Sequence, residues 1–375
     1  MNISKRDALQ WFSFFAEMSE AGEELTPKQL EIAYAVISQL EKAAEKLHAG
    51  LLSQIPGLQS LNGRTYYVGA KERFPKGCIS CLLGSGLGAV RRTNRCNAAC
   101  PFCYDYGVLD QIPPIGEGMW EIGGSRFREE DLDLLLSIQK KPSGVAYVYL
   151  EPFMEIEKYY SFIRRMHEHG IYQHLYTNGI SATASQLEQL GRAGLDEIRF
   201  NLGASMCSDR VIGHIAEAKK YIPMVGVETP MTRELYPVLL GKKDRLLETG
   251  LDFINLAELH LNPNNIENYL GESLYMYRHG YVSPICSRAL TLKLMAQASR
   301  ENWPVVVHDC SNRTKFARDL NLKAREGGWF GQSAYGAEFD VIPFAAFLPA
   351  LEDPEVVFEA EEELPEGYRI GDVLI

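Results

Sequence analysis

The sequence predicts an α/β fold: a partial or full (β/α) barrel, with a helical segment before it and a β-rich segment after it. Three observations predict it. From about residue 86 to about 310, short β-rich runs are followed by helical patterns, and repeated β-then-α units imply parallel strands with helical crossovers. Six or seven such units follow in one run, which favours one barrel over separate domains. The chain, at 375 residues and 46% hydrophobic, is also long enough to bury one large core.

Residues 1–60 read as the N-terminal helical segment. In "TPKQLEIAYAVISQLEKAAEKL", Thr26 is the predicted N-cap, Pro27 takes the first helical position, and Gln29 completes a capping box. This helix is expected to cap the main domain. Residues 61–325 form the predicted barrel core, irregular or β up to about 95. Its units begin with "GVAYVYLEP" then "EIEKYYSFIRRMHEHG", "YQHLYTNG" then "TASQLEQLGRAG", and "DEIRFNLG" then "DRVIGHIAEAKKYI". "MVGVETP" follows with "RELYPVLLGKKDRLLETG", then "DFINLAELH", and "PVVVHDC" comes last. Residues 326–375 lose the helical period and read as a small β-rich appendage.

Composition and charge narrow the function. A net charge of −11 argues against a large nucleic-acid footprint, which needs a concentrated basic surface. A local basic patch such as Arg91, Arg92 and Arg95 is compatible with that charge. The apolar runs fall short of a membrane span, so no membrane partner is expected. The N-terminus "MNISKRDALQWFSFF" lacks a signal-like apolar stretch, which predicts a cytoplasmic protein with reduced thiols. Eight cysteines there read as metal ligands or reactive thiols before disulfides.

In "CNAACPFC", Cys96, Cys100 and Cys103 follow the strand-like "GAVRRT". That places them in a loop at the C-terminal face of the barrel, where function concentrates. Iron–sulfur clusters normally take four thiolates, so three leave one iron without a protein ligand. An open position signals catalysis at a metal. The competing reading is a zinc knuckle. "GSGLGA" at residues 84–89 matches a dinucleotide fingerprint, but the cysteine loop and not a helix follows it, so it reads as a turn into the first strand. Glu258 and His260 in "AELH" end a strand and are candidates for substrate contact or for a hydrogen-bonded core pair. His167 and His169 read as surface residues and Cys207 as an incidental thiol.

The three-cysteine loop followed by β/α repeats resembles the radical S-adenosylmethionine superfamily. "YLEP" (Tyr149 to Pro152) stands where that family has GGEP; "TNG" (Thr177 to Gly179), "GLDEIRFNL" (Gly194 to Leu202) and "VGVETP" (Val225 to Pro230) resemble later landmarks in order. The resemblance covers roughly residues 86–260. "GCISC" and "VHDCS" are similar to a narrower group related to pyruvate formate-lyase activating enzyme. The resemblance implies a 4Fe–4S cluster on Cys96, Cys100 and Cys103, its fourth ligand being S-adenosylmethionine. One electron from a ferredoxin- or flavodoxin-like donor would then cleave that cofactor to a 5′-deoxyadenosyl radical. It also implies Phe102 near the adenine, the backbone at Tyr149, Leu150 and Glu151 on the amino group, and Asn201 on the ribose. Tyr149 and Leu150 depart from the two glycines of that motif, which permit close backbone approach.

Cys78, Cys81, Cys286 and Cys310 could close a second site, an auxiliary iron–sulfur cluster. If the first strand starts soon after Cys81, however, the CxxC pair lies at the far end of the barrel. The alternative is a separate CxxC pair with two buried thiols. Two function classes follow: a radical enzyme, with a small-molecule substrate favoured over a protein or peptide, and a non-catalytic iron–sulfur or zinc module.

Overall fold

The computed structural model describes residues 27–61, 63, 65–83, 87–122, 125–138, 144–278 and 280–316, and in the tail 344–347, 349, 350, 353 and 355. Helix α1 (Pro27–Leu52) starts at the proline that the sequence placed first. Thr26 lies outside the described residues. Strands β1 (Gln59–Leu61) and β2 (Thr65–Val68) pair antiparallel, and helix α2 (Lys76–Leu83) follows. The alternation then begins with β3 (Leu87–Arg91). An antiparallel pair, β4 (Met119–Ile122) and β5 (Ser125–Arg128), and helix α3 (Leu132–Ile138) precede β6 (Gly144–Tyr147). The regular units are α4 (Tyr160–Glu168), β7 (Tyr172–Thr177), α5 (Ala184–Ala193), β8 (Glu197–Phe200), α6 (Asp209–Ala218) and β9 (Met224–Pro230). After α7 (Leu235–Gly241), α8 (Lys243–Glu248) and β10 (Phe253–Ala257) comes a hairpin, β11 (Leu274–Tyr277) and β12 (Tyr281–Pro284). Helix α9 (Ile285–Arg300) and β13 (Val306–Cys310) complete the set.

Among the described residues seven strands run parallel in the order β3-β6-β7-β8-β9-β10-β13. The β4–β5 pair extends the β3 edge antiparallel, and β2 with β1 extends the β13 edge. Among the described residues β3 and β13 do not pair, so the barrel is partial. Both edges are covered by antiparallel strands that leave fewer unpaired backbone groups.

The crossover helices α4 and α5 pack on the outer face because each carries an apolar stripe. Phe162, Ile163 and Met166 of α4, and Leu187, Leu190 and Ala193 of α5, are buried there. Thr183 and Ser208 cap α5 and α6 through their side-chain oxygens. A second apolar cluster joins α1 to the β11–β12 hairpin, with Ile37, Leu40 and Ala44 against Leu274, Tyr275 and Met276. Ala346, Phe347 and Ala350 of the tail belong to it.

Helix α2 was not foreseen in the stretch expected to be irregular or β. It packs inside the concave face of the sheet, where Phe74, Cys78 and Leu82 meet Tyr67, Phe253 and Val306. Gly77 makes this approach possible: a Cβ there would fall 2.6 Å from an Arg199 guanidinium nitrogen and 2.7 Å from His174 Nδ1. Residues 84–86 of the rejected dinucleotide pattern lie outside the described residues, as does most of the β-rich segment expected after 326; the described part of that tail includes a 3₁₀ turn, Phe344–Phe347. No helix among the described residues is long and apolar enough to cross a membrane.

Candidate functional site

The loops leaving the C-terminal ends of the parallel strands form one face. Cys96, Cys100 and Cys103 lie in the loop after β3 and are half-buried. The Cys103 N–H donates to Cys100 O at 2.9 Å, closing a turn between the last two. Burial, then the neighbouring Cys103 and Cys96, push the Cys100 thiol up to about 12. Burial also raises Cys96 and Cys103. Three thiols whose pKa values burial raises are poorly suited to sit there as free thiolates, and a cationic metal group reverses that penalty. Among the described residues no three His, Cys, Asp or Glu side chains converge on a single-ion position. A cluster does not require that, because each thiolate ligates its own iron. The donor set thus fits an iron–sulfur cluster better than a zinc ion.

Neighbouring loops tie this one down. Glu151, after β6, donates its N–H to Arg95 O at 3.1 Å. Its buried carboxylate accepts from Thr177 Oγ1 at 2.7 Å, Asn178 N at 2.7 Å and Phe153 N at 3.0 Å. Burial raises the Glu151 pKa, and those three donors oppose the rise. Asn178 Nδ2 donates to Asn97 Oδ1 at 2.7 Å, and Asn97 donates to Ser181 Oγ at 2.7 Å. Glu151 and "TNG" are therefore mutual supports of the cysteine loop. Tyr149 is exposed, and Leu150 has φ 55°, the left-handed region where a side chain is strained.

A second brace comes from "NPNNIEN", residues 262–268. Asn268 Nδ2 donates to Pro101 O at 2.9 Å. Asn265 Nδ2 reaches Phe102 O at 3.4 Å and Cys103 O at 3.3 Å. Asn262 and Asn264 both donate to Tyr104 O, at 2.9 and 3.0 Å. Four consecutive carbonyls of the cysteine loop are thus held by four asparagine amides. Sequence reasoning missed this clamp. Its signal was the density of asparagine beside one proline, which reads as an ordinary turn.

Phe102 packs on Gly203, where a Cβ would fall 2.9 Å from the ring. Asn201 sits at the same strand end. Its Oδ1 accepts from Thr229 Oγ1 at 3.0 Å, and its N–H donates to Thr177 O at 2.7 Å. Asn201 Nδ2 has no bond among the described residues and can serve a ligand. Phe102, Asn201 and the residue 149–151 loop all flank the three cysteines.

Glu258 takes a different place. Its carboxylate accepts from Tyr275 OH and from Asn312 N at 2.7 Å, and it is buried. Burial raises its pKa. It joins the hairpin to the turn after β13, so its acceptors are spent on the scaffold rather than offered to the mouth. His260 stacks on Tyr104, ring centroids 5.8 Å apart and 16° from parallel. That puts it directly beside the cysteine loop.

Of the four remaining candidate cysteines, Cys78 and Cys81 share helix α2 with Cys310 close to Cys78, and Cys286 faces Glu272 instead. Cys78 is buried against Asn255, whose Nδ2 lies 3.7 Å from its sulfur. Cys310 is near enough to raise the Cys78 thiol, after burial and the Glu228 and Glu197 carboxylates. Cys286 instead donates to Glu272 Oε2 at 3.4 Å, and Arg233 holds the same carboxylate. Helix α2 carries Cys78 into the barrel, whereas Cys286 opens α9 at its rim.

Residues 90–210 match the family model of the Radical SAM superfamily. The tungsten-containing aldehyde ferredoxin oxidoreductase cofactor-modifying protein of Pyrococcus furiosus is 25% identical over 202 residues. That match covers 47% of this chain and 52% of the relative, so the chain spans about half the length of the curated protein it matches. Among solved structures, Streptococcus suis SuiB bound to S-adenosylmethionine aligns with 65% of this chain and 54% of its own, at 12% identity and TM-score 0.41. Methylornithine synthase aligns with 80% and 74%, at 10% identity and TM-score 0.38.

Proposed function

We propose that this chain is a radical S-adenosylmethionine enzyme acting on a small molecule that enters the barrel from the face bearing the cysteine loop. The observation that supports it most is the braced loop: three thiols held beside a free amide at Asn201 and an aromatic ring at Phe102, within the matched segment. When bound, a 4Fe–4S cluster with S-adenosylmethionine supplies a 5′-deoxyadenosyl radical after one-electron reduction. The chain's part is to bind and orient. Cys96, Cys100 and Cys103 hold the cluster. The backbone at Tyr149 to Glu151 and the Asn201 amide take the polar groups of the cofactor, and Phe102 packs on its base. His260 is retained as a substrate-side candidate because it stacks at the edge of the same loop. The reading includes a cytoplasmic location, a ferredoxin- or flavodoxin-like electron donor, and the narrower kinship suggested by "GCISC" and "VHDCS". The Pyrococcus furiosus relative is a cofactor-modifying protein by name, which agrees with a small, non-protein substrate.

The test is anaerobic reconstitution with iron and sulfide, reduction, and chromatography for 5′-deoxyadenosine. The wild-type chain is expected to form it. Alanine at Cys96, Cys100 or Cys103 should abolish it together with the cluster absorbance. Asn201→Ala should keep the iron and weaken S-adenosylmethionine binding by about 1–3 kcal/mol, the value of a hydrogen bond to a polar ligand. A fully loaded wild-type chain that makes no 5′-deoxyadenosine with any reductant overturns the reading.

A further inference from the structure

The concave face of the barrel holds a charge imbalance that the described residues do not neutralise. Arg199 is 2% exposed and bonds two carboxylates. Glu197 lies on one side, and Glu228 lies on the other at 2.5 Å from Arg199 NH1. His174 and His308 do not add charge: burial, with Arg199 nearby, lowers both, His308 to about 3. Two carboxylates thus face one guanidinium. An unbalanced buried charge is costly unless something pairs with it.

The two carboxylates differ in how they are used. Glu197 is saturated near the start of its strand by Tyr172 OH at 2.5 Å, Gly77 N at 3.3 Å and Arg199. Glu228 receives Arg199 and Asn255 Nδ2 on the same oxygen, Oε2, each at 2.5 Å. Its Oε1 accepts no bond among the described residues, and its side chain is 17% exposed.

Beside it are two further unfilled acceptors. Asn255 pairs in register with Glu228 on one side and His308 on the other. The three side chains therefore form a row across β9, β10 and β13, and adjacent strands lie about 4.8 Å apart. Asn255 Oδ1 and both ring nitrogens of His308 are buried without a hydrogen-bond partner among the described residues. Both residues are 1% exposed. Buried polar atoms left unpaired call for an explanation, and an absent ligand is one. Helix α2 and the residues before it close the row from inside the barrel, with Cys78 against Asn255 and Phe74 against His308. Exposure rises toward the other end, at Pro230, Ala257 and Cys310, so the row opens toward the cysteine loop.

We propose that Glu228, Asn255 and His308 bind the ammonium group of an amine-bearing small molecule, held in the barrel below the cysteine loop. This rests on the reading of the barrel as a substrate chamber. An ammonium supplies the missing positive charge and three N–H donors. They match Glu228 Oε1, Asn255 Oδ1 and the unprotonated nitrogen of the neutral His308 ring. A carboxylate ligand would add to the excess negative charge, and a neutral diol would leave it unpaired.

The experiment is calorimetric titration of the full-length, reconstituted chain with 1,4-diaminobutane, 1,4-butanediol and succinate. Saturating S-adenosylmethionine is present throughout so that its own ammonium site is filled, and no reductant is added. The diamine is expected to bind and the other two are not. Glu228→Gln should weaken diamine binding at least about tenfold, the size of a lost charge-assisted bond. Glu228→Asp should retain it, which separates loss of charge from loss of folding. Thermal unfolding of ligand-free Glu228→Gln should be unchanged or raised, because the imbalance is gone. No diamine binding, equal binding of the diol, unchanged binding in Glu228→Gln, or a fall of more than about 5 °C in that variant's midpoint overturns the proposal. Because nothing is reduced, failure here is distinct from failure to cleave S-adenosylmethionine.

Discussion

Removing the Asn265 side chain should loosen the cysteine loop without unfolding the barrel. Asn265 is fully buried, and its Oδ1 accepts from Asn262 N at 2.9 Å. Its Nδ2 is shared among Phe102 O, Cys103 O and His260 O at 3.3–3.4 Å. In Asn265→Ala the Asn262 N–H is left unpaired in a buried site, which costs about 1–3 kcal/mol, and the long shared bonds add about 1 kcal/mol. The sum is about 3 kcal/mol, or about a hundredfold in the local opening equilibrium. Hydrogen exchange of the cluster-free chain reads this at the amides of Cys103 and Tyr106, whose turn bonds run to Cys100 O and Cys103 O. Their protection should fall about a hundredfold, while core strands such as β8 keep theirs. Asn265→Asp separates the two contributions. It keeps the acceptor for Asn262 but turns a donor toward three carbonyls into another acceptor. It should therefore loosen the loop as much as alanine or more. Iron bound per chain after reconstitution should drop in both. Wild-type exchange at Cys103 and Tyr106 in either variant refutes the clamp.

Two other outcomes follow from the geometry. A chain with alanine at both Cys286 and Cys310 should still bind about four irons, the content of one cluster, because Cys286 pairs with Glu272 and not with Cys78. A halved iron content by metal analysis would instead restore the auxiliary cluster. Leu150→Gly should raise the denaturant midpoint, since a left-handed φ of 55° costs a branched side chain about 1–2 kcal/mol. The gain is offset in part by the larger unfolded-state entropy of glycine, so about 1 kcal/mol or less should remain. A clear loss of stability would mean that the packing of Leu150 outweighs its backbone strain.

The parallel strands were legible because their outward positions are apolar and each helix shows one apolar stripe. Ile198 and Phe200 of β8 alternate with Glu197 and Arg199, a period that survives in the sequence. The cysteine loop was legible because three thiols at fixed spacing are rare by chance. Helix α2 was not: an eight-residue helix held by Gly77 against Arg199 and His174 has no strong periodicity of its own, and tertiary packing decides it. The hairpin between β10 and α9 was missed for a similar reason, since it interrupts an otherwise regular alternation. Glu258 and Cys286 look reactive in sequence, yet each is claimed by a partner far along the chain, Asn312 for one and Glu272 for the other.

The same limit explains why the polar row escaped notice. Arg199 sits in a strand where polar residues alternate with apolar ones, and Glu228, Asn255 and His308 are among the few polar residues of mostly apolar strands. Such alternation ordinarily means one face in the core and the other in water. A curved parallel sheet breaks that equivalence. Its outer face buries the apolar positions under helices, and its inner face gathers the polar ones into a space that water only partly reaches. Side chains that read singly as solvated then become neighbours at low dielectric, where one uncompensated carboxylate matters. Curvature is set by the register of all seven strands together, so no single strand's sequence reports it. The cysteine loop marks where the chemistry begins; the charge balance of the chamber below it is decided only when the sheet bends.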